Sequence, residues 1–338
     1  MSARRLDENT VTKLVAEAVA APSMHNAQPW RFRFDIGEGL LRMYADLTRA
    51  MPRSDPGNRA LHLGCGAALF NLRVAAAHAG LVPEIRLLPE PQDPLLLAAV
   101  HLDSPTARSP QHEQDDLERL HPAIRDRHTS RHPFADKDIP EDVRVALRDA
   151  ASQEGAALHF PGPWHIETLL ELVQDAEDRD ALDPVAREDL DRWTRLGPEA
   201  DIAVDGVPEY AFGPRRRDGK APVRDFAGRR PVADRGTTAF EHTPQLAVLS
   251  TPGDGPADWL RAGQALEHVL LEATLADLAT SLTSHALEEP DLRTLTRDPV
   301  SGTGHVQMVL RLGYGPRGPA TPRRPVADVL DFVRPGAG

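Results

Sequence analysis

The sequence predicts an α+β fold with long central helices, and three observations support it. An amphipathic helix near the N-terminus is followed at residues 30–35 by alternating apolar and charged side chains, as in a strand with one buried face. Residues 59–79 are Ala-rich and almost uncharged, which is typical of a buried helix. The same order of helix, strand and long helix then returns in the second half of the chain.

Local signals place the elements of the first half. The opening helix should end near Ala21, because Pro22 disfavours helical geometry in the residue before it. Gly37 and Gly39 favour a turn that pairs the first two strands as a hairpin. The predicted elements after the opening helix are strands at 30–35 and 40–46, the long helix at 59–79, and strands at 83–88 and 95–102.

The second half repeats this order of elements. Gly263 opens a long apolar helix much as Gly66 lies within the earlier one. Either an internal duplication or a chance resemblance between two segments of mixed structure accounts for the pattern. A duplication divides the chain into halves at 1–110 and 111–338. The elements predicted in the second half are a helix at 143–151, a strand at 156–160, the long helix, and a strand at 307–312.

The segment 197–238 differs from the rest of the chain. Gly, Pro and charged residues follow one another closely there, and a loop of this length inside a compact domain is usually functional or disordered. One interpretation is a lid over a site, with Gly206 and Gly213 as hinges. The other is a solvated excursion of the chain.

Composition limits the classes of function. The chain has 338 residues and a net charge of −12, which argues against a general nucleic-acid binder and favours a small ligand. A single cysteine, Cys65, excludes an intrachain disulfide and a cysteine-cluster metal site, and no metal is expected. No apolar stretch approaches the length of a membrane span, and no secretory h-region opens the chain. We therefore expect a cytoplasmic protein without membrane or nucleic-acid partners.

The stretch 21–30 has the composition of a binding loop. Proline at either end restricts its backbone, while Ser23, Asn26 and Gln28 offer hydroxyl and amide groups suited to the polar edge of a flat heterocycle. Met24 and His25 are placed to flank the face of such a ring. The alternative is an ordinary capped turn between helix and strand.

A second cluster is rich in arginine. Arg127, Thr129 and Arg131 supply forked cationic donors and a hydroxyl within five residues, which suits a phosphate monoester. Near the C-terminus, Arg323 and Arg324 lie between two prolines and could converge on the same anion. A solvated basic turn is the alternative.

These patterns together resemble the nitroreductase-type FMN-binding family. The resemblance rests on three motifs: Pro-Ser-x-x-Asn-x-Gln-Pro-Trp at 22–30, Arg-x-Thr-x-Arg at 127–131, and Arg-Leu-Gly-Tyr-Gly at 311–315 followed by Pro-Arg-Arg-Pro at 322–325. The arrangement is similar to the Acg branch, in which two nitroreductase-like halves are fused in one chain. The resemblance implies a pseudo-dimer whose halves each have a mainly antiparallel sheet packed against long central helices.

The resemblance also implies roles for individual residues. A loop after the second long helix would lie near N5 of the flavin, and the two arginine-containing runs would hold the phosphate and ribityl chain. The remaining residues, from the first motif, would face or flank the ring. The implied cofactor-binding residues are Pro22, Ser23, Met24, Asn26, Gln28, Arg127, His128, Thr129, Arg131, Ser284, Ala286, Leu287, Arg323 and Arg324.

Departures from the family pattern predict one FMN per chain instead of two. A second site would need a hydroxyl-spaced arginine run near the N-terminus, where only Arg4 and Arg5 occur. It would also need a Pro-Ser-x-x-Asn loop at 152–155, where the chain reads Ser-Gln-Glu-Gly.

By resemblance, the function is that of an NAD(P)H-dependent oxidoreductase that passes electrons through flavin N5 to a small acceptor. No dedicated nucleophile or base is required, because the cofactor carries the chemistry. His25 is a candidate proton donor beside the ring, with a structural role as its alternative. The competing function is a non-catalytic FMN-sequestering or redox-sensing protein with its lid closed, and a flavin oxidase is a third. A pseudo-dimeric monomer is expected, and further dimerisation is left open.

Overall fold

A computed structural model describes residues 6–102, 111–182, 187–228, 230–298 and 304–334. The helices are α1 Glu8–Ala18, α2 Arg59–His78, α3 Gln111–Arg119, α4 His121–Asp126, α5 Glu141–Gln153, α6 Pro163–Leu182, α7 Arg187–Arg192, α8 Pro198–Ile202, α9 Pro256–Leu275, α10 His285–Glu288 and α11 Pro290–Leu295. The strands are β1 Trp30–Asp35, β2 Leu40–Ala45, β3 Glu84–Leu87, β4 Leu96–His101, β5 Ala157–His159, β6 Thr194–Arg195, β7 Val207–Pro208, β8 Arg215–Asp218, β9 Thr237–Ala239, β10 Gln245–Thr251, β11 Ala279–Thr283, β12 His305–Gly313 and β13 Leu330–Val333.

The predicted α+β class is confirmed by two larger sheets with long helices between them. One sheet has the order β13-β1-β2-β4-β3 and the other β11-β12-β10-β5. Within these two sheets, the described pairings are antiparallel except that of β13 with β1. The order β1-β2-β4-β3 in the first sheet matches β5-β10-β12-β11 in the second, element by element. This match supports the internal duplication.

Alternation along β1 explains how the first sheet packs. Trp30, Phe32 and Phe34 are buried, whereas Arg31 and Arg33 between them are exposed. The predicted strand with one buried face is therefore confirmed. Its aromatic side chains join a core that also takes in much of α1 and α2.

The second long helix starts earlier than the sequence predicts. It begins at Pro256, seven residues before Gly263, because proline is well suited to the first turn and Asp258 accepts a hydrogen bond from the backbone N–H of Gly255 at 3.1 Å. Gly263 therefore lies inside the helix, at a position that corresponds to Gly66 in α2.

The two long helices cross in direct backbone contact at these glycines. A methyl group on Gly66 would lie 2.9 Å from the Cα of Gly263 and would overlap the carbonyl oxygen of Leu260. A methyl group on Gly263 would lie 2.8 Å from the Cα of Gly66 and would overlap the carbonyl oxygen of Leu63. The crossing is thus nearly symmetric, and only glycine permits this separation.

The expectation that no stretch approaches the length of a membrane span is wrong, because α2 is long and apolar enough to cross a membrane by length and composition. In the folded chain, however, 89% of its apolar window is buried. Its surroundings are α9, α1 and the first sheet, so α2 is a central helix of the core.

The C-terminal strand joins the two ends of the chain. β13 lies parallel to β1, with Phe32 opposite Leu330 and Asp35 opposite Val333. A half that stopped at residue 110 would lack this strand of its own sheet. The division into two halves stays a prediction. Residues 314–334, which we call the C-terminal arm, follow the last strand of the second half and complete the sheet of the first.

The chain between β5 and β10 is a large insertion that contains the predicted lid. The lid has a small apolar core of its own, in which Val207, Phe212 and Phe226 are buried together. Gly206 and Gly213 both have positive φ, at 73° and 70°. A solvated excursion does not explain this apolar core, although Ile202, Val204 and Tyr210 of the same segment are exposed.

Replacement of Gly66 by alanine tests the helix crossing. The added methyl group would meet backbone on α9 that cannot rotate away, so we expect G66A to lower the free energy of unfolding by about 3 kcal/mol. Gly57→Ala is the matched control, since nothing lies within 4 Å of its would-be methyl group. Chemical denaturation of both variants measures the difference, and equal stability would show that the helices separate at little cost.

Candidate functional site

A cavity lies where the polar loop at 22–26, the arginine run at 127–131, the lid and the C-terminal arm meet the start of α2 and the middle of α9. Its lining consists of Pro22, Ser23, Met24, His25, Asn26, Ser54, Arg59, Ala60, Leu63, Gly64, Arg127, His128, Thr129, Arg131, Val207, Val223, Arg224, Phe226, Leu266, Ser281, Leu282, Ser284, Glu288, Met308, Thr321 and Arg323.

The loop after α1 has an unusual backbone. His25, Asn26 and Gln28 all adopt positive φ, between 48° and 57°, although none is glycine. Such conformations cost free energy and persist only where surrounding contacts enforce them. Ser23 supplies one such contact, because its hydroxyl accepts a hydrogen bond from the backbone N–H of Gln28 at 2.8 Å. The loop is therefore more than an ordinary capped turn.

The amide of Asn26 binds protein groups on three sides. Its Nδ2 donates to the carbonyl oxygens of Gly206 at 2.9 Å and Pro322 at 3.0 Å. Its Oδ1 accepts from Arg323 at 2.9 Å. Asn26 lines the cavity and also ties the loop to the lid and to the C-terminal arm.

Gln28 lies outside the cavity lining. Its side chain is fully buried, its Nε2 donates to the Val204 carbonyl at 2.9 Å, and its Oε1 accepts from the backbone N–H of Arg324 at 2.8 Å. The amide that was expected to face a ring is thus engaged with the lid and the arm, and it holds them against the loop.

The two neighbouring C-terminal arginines diverge. Arg323 lines the cavity, donates to the carbonyls of Ala20 and Ala21, and has an Nε without a hydrogen-bond partner. Arg324 points away from the cavity, towards Asp46 at 3.6 Å and the carbonyl of Asp328 at 3.1 Å. Only the first of the pair reaches the cavity.

The arginine run is held beside β11. Ser130 donates its backbone N–H to the Thr280 carbonyl at 2.8 Å, which fixes the run in an extended conformation. Arg131 donates to the Ala211 carbonyl at 3.0 Å and lies 4.7 Å over the ring of Phe226. Both of these contacts are with the lid, so Arg131 connects the run to it.

Arg127 is a buried cation with unused donors. It is 3% exposed, and its Nε and Nη1 have no hydrogen-bond partner among the described residues. His128 and Thr129 follow it along the cavity wall. Burial, Arg127 and Arg323 lower the pKa of His128 to about 4, so its ring is neutral near pH 7.

A buried carboxylate stands behind Arg127. Glu267 on α9 is fully buried, with Oε1 3.5 Å from Nε of Arg127. Burial raises the pKa of Glu267 to about 7, although Arg127, Asn71 and Arg323 act to lower it. Neither carboxylate oxygen has a hydrogen-bond partner among the described residues. Glu267 is therefore close to half-ionised at neutral pH.

Ion pairs hold the lid in place. Asp205 pairs with Arg49 on the body of the protein and with Arg195 at 2.7 Å on the insertion. Those two arginines keep the pKa of Asp205 below its usual value despite partial burial. Arg224 of the lid pairs with Glu288 of α10 at the cavity wall. The lid is closed over the cavity in this structure.

His25 faces the lid across the cavity. Its ring meets that of Phe226 edge to face at 5.5 Å, and its Nε2 has no hydrogen-bond partner in the part of the chain that the structure describes. Burial, with Arg224 and Arg131, lowers the pKa of His25 well below 6.5. The imidazole is therefore neutral near pH 7. It can donate or accept a hydrogen bond, but it carries no positive charge.

The predicted loop after the second long helix is only partly at the cavity. Ser284 lines it and donates to Glu288 at 2.7 Å. Ala286 and Leu287 are buried in apolar clusters outside the lining, and the backbone N–H of Leu287 is bonded to the Ser284 carbonyl. Their expected place near a flavin stays a prediction.

Several lining residues escaped the sequence analysis. Arg59 is a buried cation at the start of α2 that donates to the Gln307 carbonyl at 2.6 Å. A lone charge at the start of an apolar helix could have indicated a site residue from the sequence. Phe226 and Val223 of the lid gave no signal, since their position depends on how the insertion folds. Glu288 was missed for the same reason.

The equivalent location on the other side of the helix crossing is different. There Glu154 pairs with Arg73 and, at 3.4 Å, with His268. Arg73 also donates to Gln264 at 3.1 Å. The guanidinium of Arg73 at this second location is therefore paired with a carboxylate of the protein.

Comparisons with known proteins find relatives that match this chain over nearly its whole length. It is 30% identical over 331 residues to a Mycobacterium tuberculosis H37Rv protein described as "Putative NAD(P)H nitroreductase acg", with 95% of each chain covered. An uncharacterised protein of the same organism is 32% identical over 325 residues, covering 93% of this chain and 91% of that one. No family model matches the chain. A solved "putative nitroreductase" of Anabaena variabilis is a more distant likeness, 14% identical with a TM-score of 0.43, covering 90% of this chain and 73% of that one.

Glu267 should make the free energy of unfolding depend on pH. The pKa of Glu267 is raised in the folded state, so its protonated form favours folding. Its contribution to the free energy of unfolding is complete below its ordinary pKa near 4.5 and is lost as the pH rises through about 7. We expect E267Q to be more stable than the wild type at pH 8, by on the order of 3 kcal/mol. The advantage should vanish near pH 4.

Denaturation of both proteins across this pH range measures the effect. Glu272→Gln is the control, since Glu272 lies on the same helix but pairs with exposed Arg119. Parallel stability profiles for E267Q and the wild type would contradict the assignment.

Proposed function

Because the chain belongs to the nitroreductase family, in its Acg branch, we propose that it is an FMN-dependent oxidoreductase that uses NAD(P)H to reduce a small acceptor. The observation that carries this proposal is one cavity where the polar loop of residues 22–26 meets buried arginines with unused donors. These groups come from parts of the chain a hundred or more residues apart, and the fold brings them together.

The residues present fit an FMN molecule. Arg127 and Arg323 offer unpartnered N–H groups to a phosphate, and Thr129 adds a hydroxyl beside them. Apolar side chains on the central helices and strands, among them Leu266 and Met308, suit a flat ring system. Pro22, Ser23, Met24 and His25 would lie along that ring.

The bound flavin would supply the hydride chemistry. The protein would bind and orient it, and Ser284 and Glu288 would add polar groups at the wall of the chamber. His25 would remain neutral beside the ring, where its free Nε2 can donate or accept a hydrogen bond. Phe226 and the rest of the lid would exclude water from the site.

We propose a single FMN per chain. The second location lacks an unused cation, because its Arg73 is paired with Glu154. A negatively charged phosphate placed there would have to displace that carboxylate. The two halves of the chain would thus form one complete site and one site that serves only packing.

A non-catalytic flavin store is the second candidate, and the closed lid favours it. Val207, Val223 and Phe226 form one wall of the cavity, and Asp205 latches the lid to the body of the protein. A lid that stayed closed would keep nicotinamide out. The two functions differ in whether a nicotinamide reaches the flavin.

Anaerobic mixing with NADH or NADPH distinguishes them. We expect the purified protein to be yellow, and nicotinamide to bleach its oxidised flavin absorbance within the time of an ordinary assay. No bleaching by either nicotinamide, with ready bleaching by dithionite, would support the flavin store. A colourless protein that takes up no FMN would refute both functions.

Asp205→Ala adds a test of access. Loss of the latch should loosen the lid, so the variant should be bleached faster than the wild type if the lid limits entry. Asp234→Ala, elsewhere on the insertion, is the control. An unchanged rate in D205A would show that the latch does not limit access.

Arginine replacement tests the phosphate grip. Loss of a charge-assisted contact is worth about 1.5–3 kcal/mol, so R127A should weaken FMN binding by roughly 10- to 100-fold. Arg125→Ala is the matched control, since Arg125 is exposed and paired with Glu17; Arg4, expected to be outside any site, lies outside the described residues. Fluorescence titration with FMN measures both, and equal weakening would refute this assignment of the grip.

A further inference from the structure

Glu267 is the most unusual charged group in the molecule. It is fully buried in the middle of α9, yet neither carboxylate oxygen has a hydrogen-bond partner among the described residues. An ionised carboxylate without donors is costly in a protein interior. A structural ion pair would normally be better satisfied, so the position calls for another explanation.

The groups that face Glu267 come from three directions. Asn71 approaches from α2 and acts to lower the pKa of Glu267, Arg127 approaches from the segment after α4, and Arg323 from the C-terminal arm. On its own helix, the neighbouring His268 turns to the opposite side, towards Glu154. Among the described residues, the charges that lower the pKa of Glu267 are therefore those of the two arginines of the proposed phosphate grip.

These two arginines cannot fully serve two anions at once. A phosphate monoester carries close to two negative charges at pH 7 to 8 and would take the unused donors of Arg127 and Arg323. Two anions held by the same cations in a buried site repel each other, and one of them becomes protonated. Glu267 is the one that yields, because it is fully buried and depends for its charge on Arg127, 3.5 Å away, which the phosphate would engage.

We propose that Glu267 binds a proton when the phosphate of FMN binds to Arg127 and Arg323, so that cofactor binding is coupled to proton uptake. The inference rests on the proposed function, since it requires FMN in this cavity. It adds a residue outside the cavity lining to the binding site, and it makes FMN retention depend on pH.

Other titrating groups give different signatures. His25 and His128 stay neutral above pH 6, and the phosphate itself loses its second proton near pH 6. Burial also raises the pKa of Glu288 at the cavity wall, against the effects of Arg224 and Ser284, so the variant is needed to tell the two carboxylates apart. A dependence between pH 7 and 9 that disappears in E267Q would therefore belong to Glu267.

The experiment is a titration of the apoprotein with FMN between pH 7 and 9, followed by flavin fluorescence. In the wild type we expect Kd to rise by up to tenfold per pH unit, or up to about 100-fold overall. In E267Q, Kd should be nearly constant and lower than that of the wild type at pH 9. Glu272→Gln, on the same helix, should behave as the wild type.

Calorimetry in buffers of different ionisation enthalpy measures the coupled proton directly and needs no variant. We expect uptake of up to one proton with FMN at pH 8 and none with riboflavin, which lacks the phosphate. This measurement keeps the proposal testable if E267Q fails to fold.

The outcomes separate the two proposals. Binding of FMN without proton uptake, or a pH dependence that persists in E267Q, would overturn the role of Glu267 and leave the proposed function intact. Equal proton uptake with riboflavin would place the coupled group away from the phosphate and would also overturn it. Failure to bind FMN at any pH would refute both.

Discussion

The backbone contact between α2 and α9 is the constraint on which the rest of the structure depends. Gly66 and Gly263 bring the two helices so close that neither position accepts a side chain. Residues one turn away then form the floor of the cavity, with Leu63 on one helix and Leu266 on the other. The crossing also buries Glu267 behind the arginines, where solvent cannot stabilise its charge.

The polar loop after α1 serves the assembly of the site as much as its chemistry. Asn26 and Gln28 use their amides to hold the lid and the C-terminal arm, and the left-handed backbone of the loop aims them there. Their hydrogen bonds offset the conformational cost of that backbone. Loop, lid and arm are therefore mutually dependent, although more than 170 residues separate Asn26 and Gln28 from their partners in the lid.

The near-symmetry of the fold makes its asymmetry of charge informative. On one side of the helix crossing, Arg127 and Arg323 keep donors free, while on the other Arg73 is neutralised by Glu154. A backbone arrangement that repeats can thus carry one binding site and one packing network. The difference lies in a few side chains whose partners are present on one side and absent on the other.

The sequence by itself determined the local structure and the composition of the site: alternation predicted β1, the lack of charge predicted α2, and the residue types of the polar loop and of the run from Arg127 to Arg131 indicated binding. The tertiary structure decided which groups meet. It turned Gln28 and Arg324 away from the cavity, brought Phe226 to its wall, added β13 to the first sheet and left Glu267 without donors. Periodicity and turn chemistry act over a few residues and can be read along the chain, whereas burial and hydrogen-bond partnership depend on segments that only folding brings together.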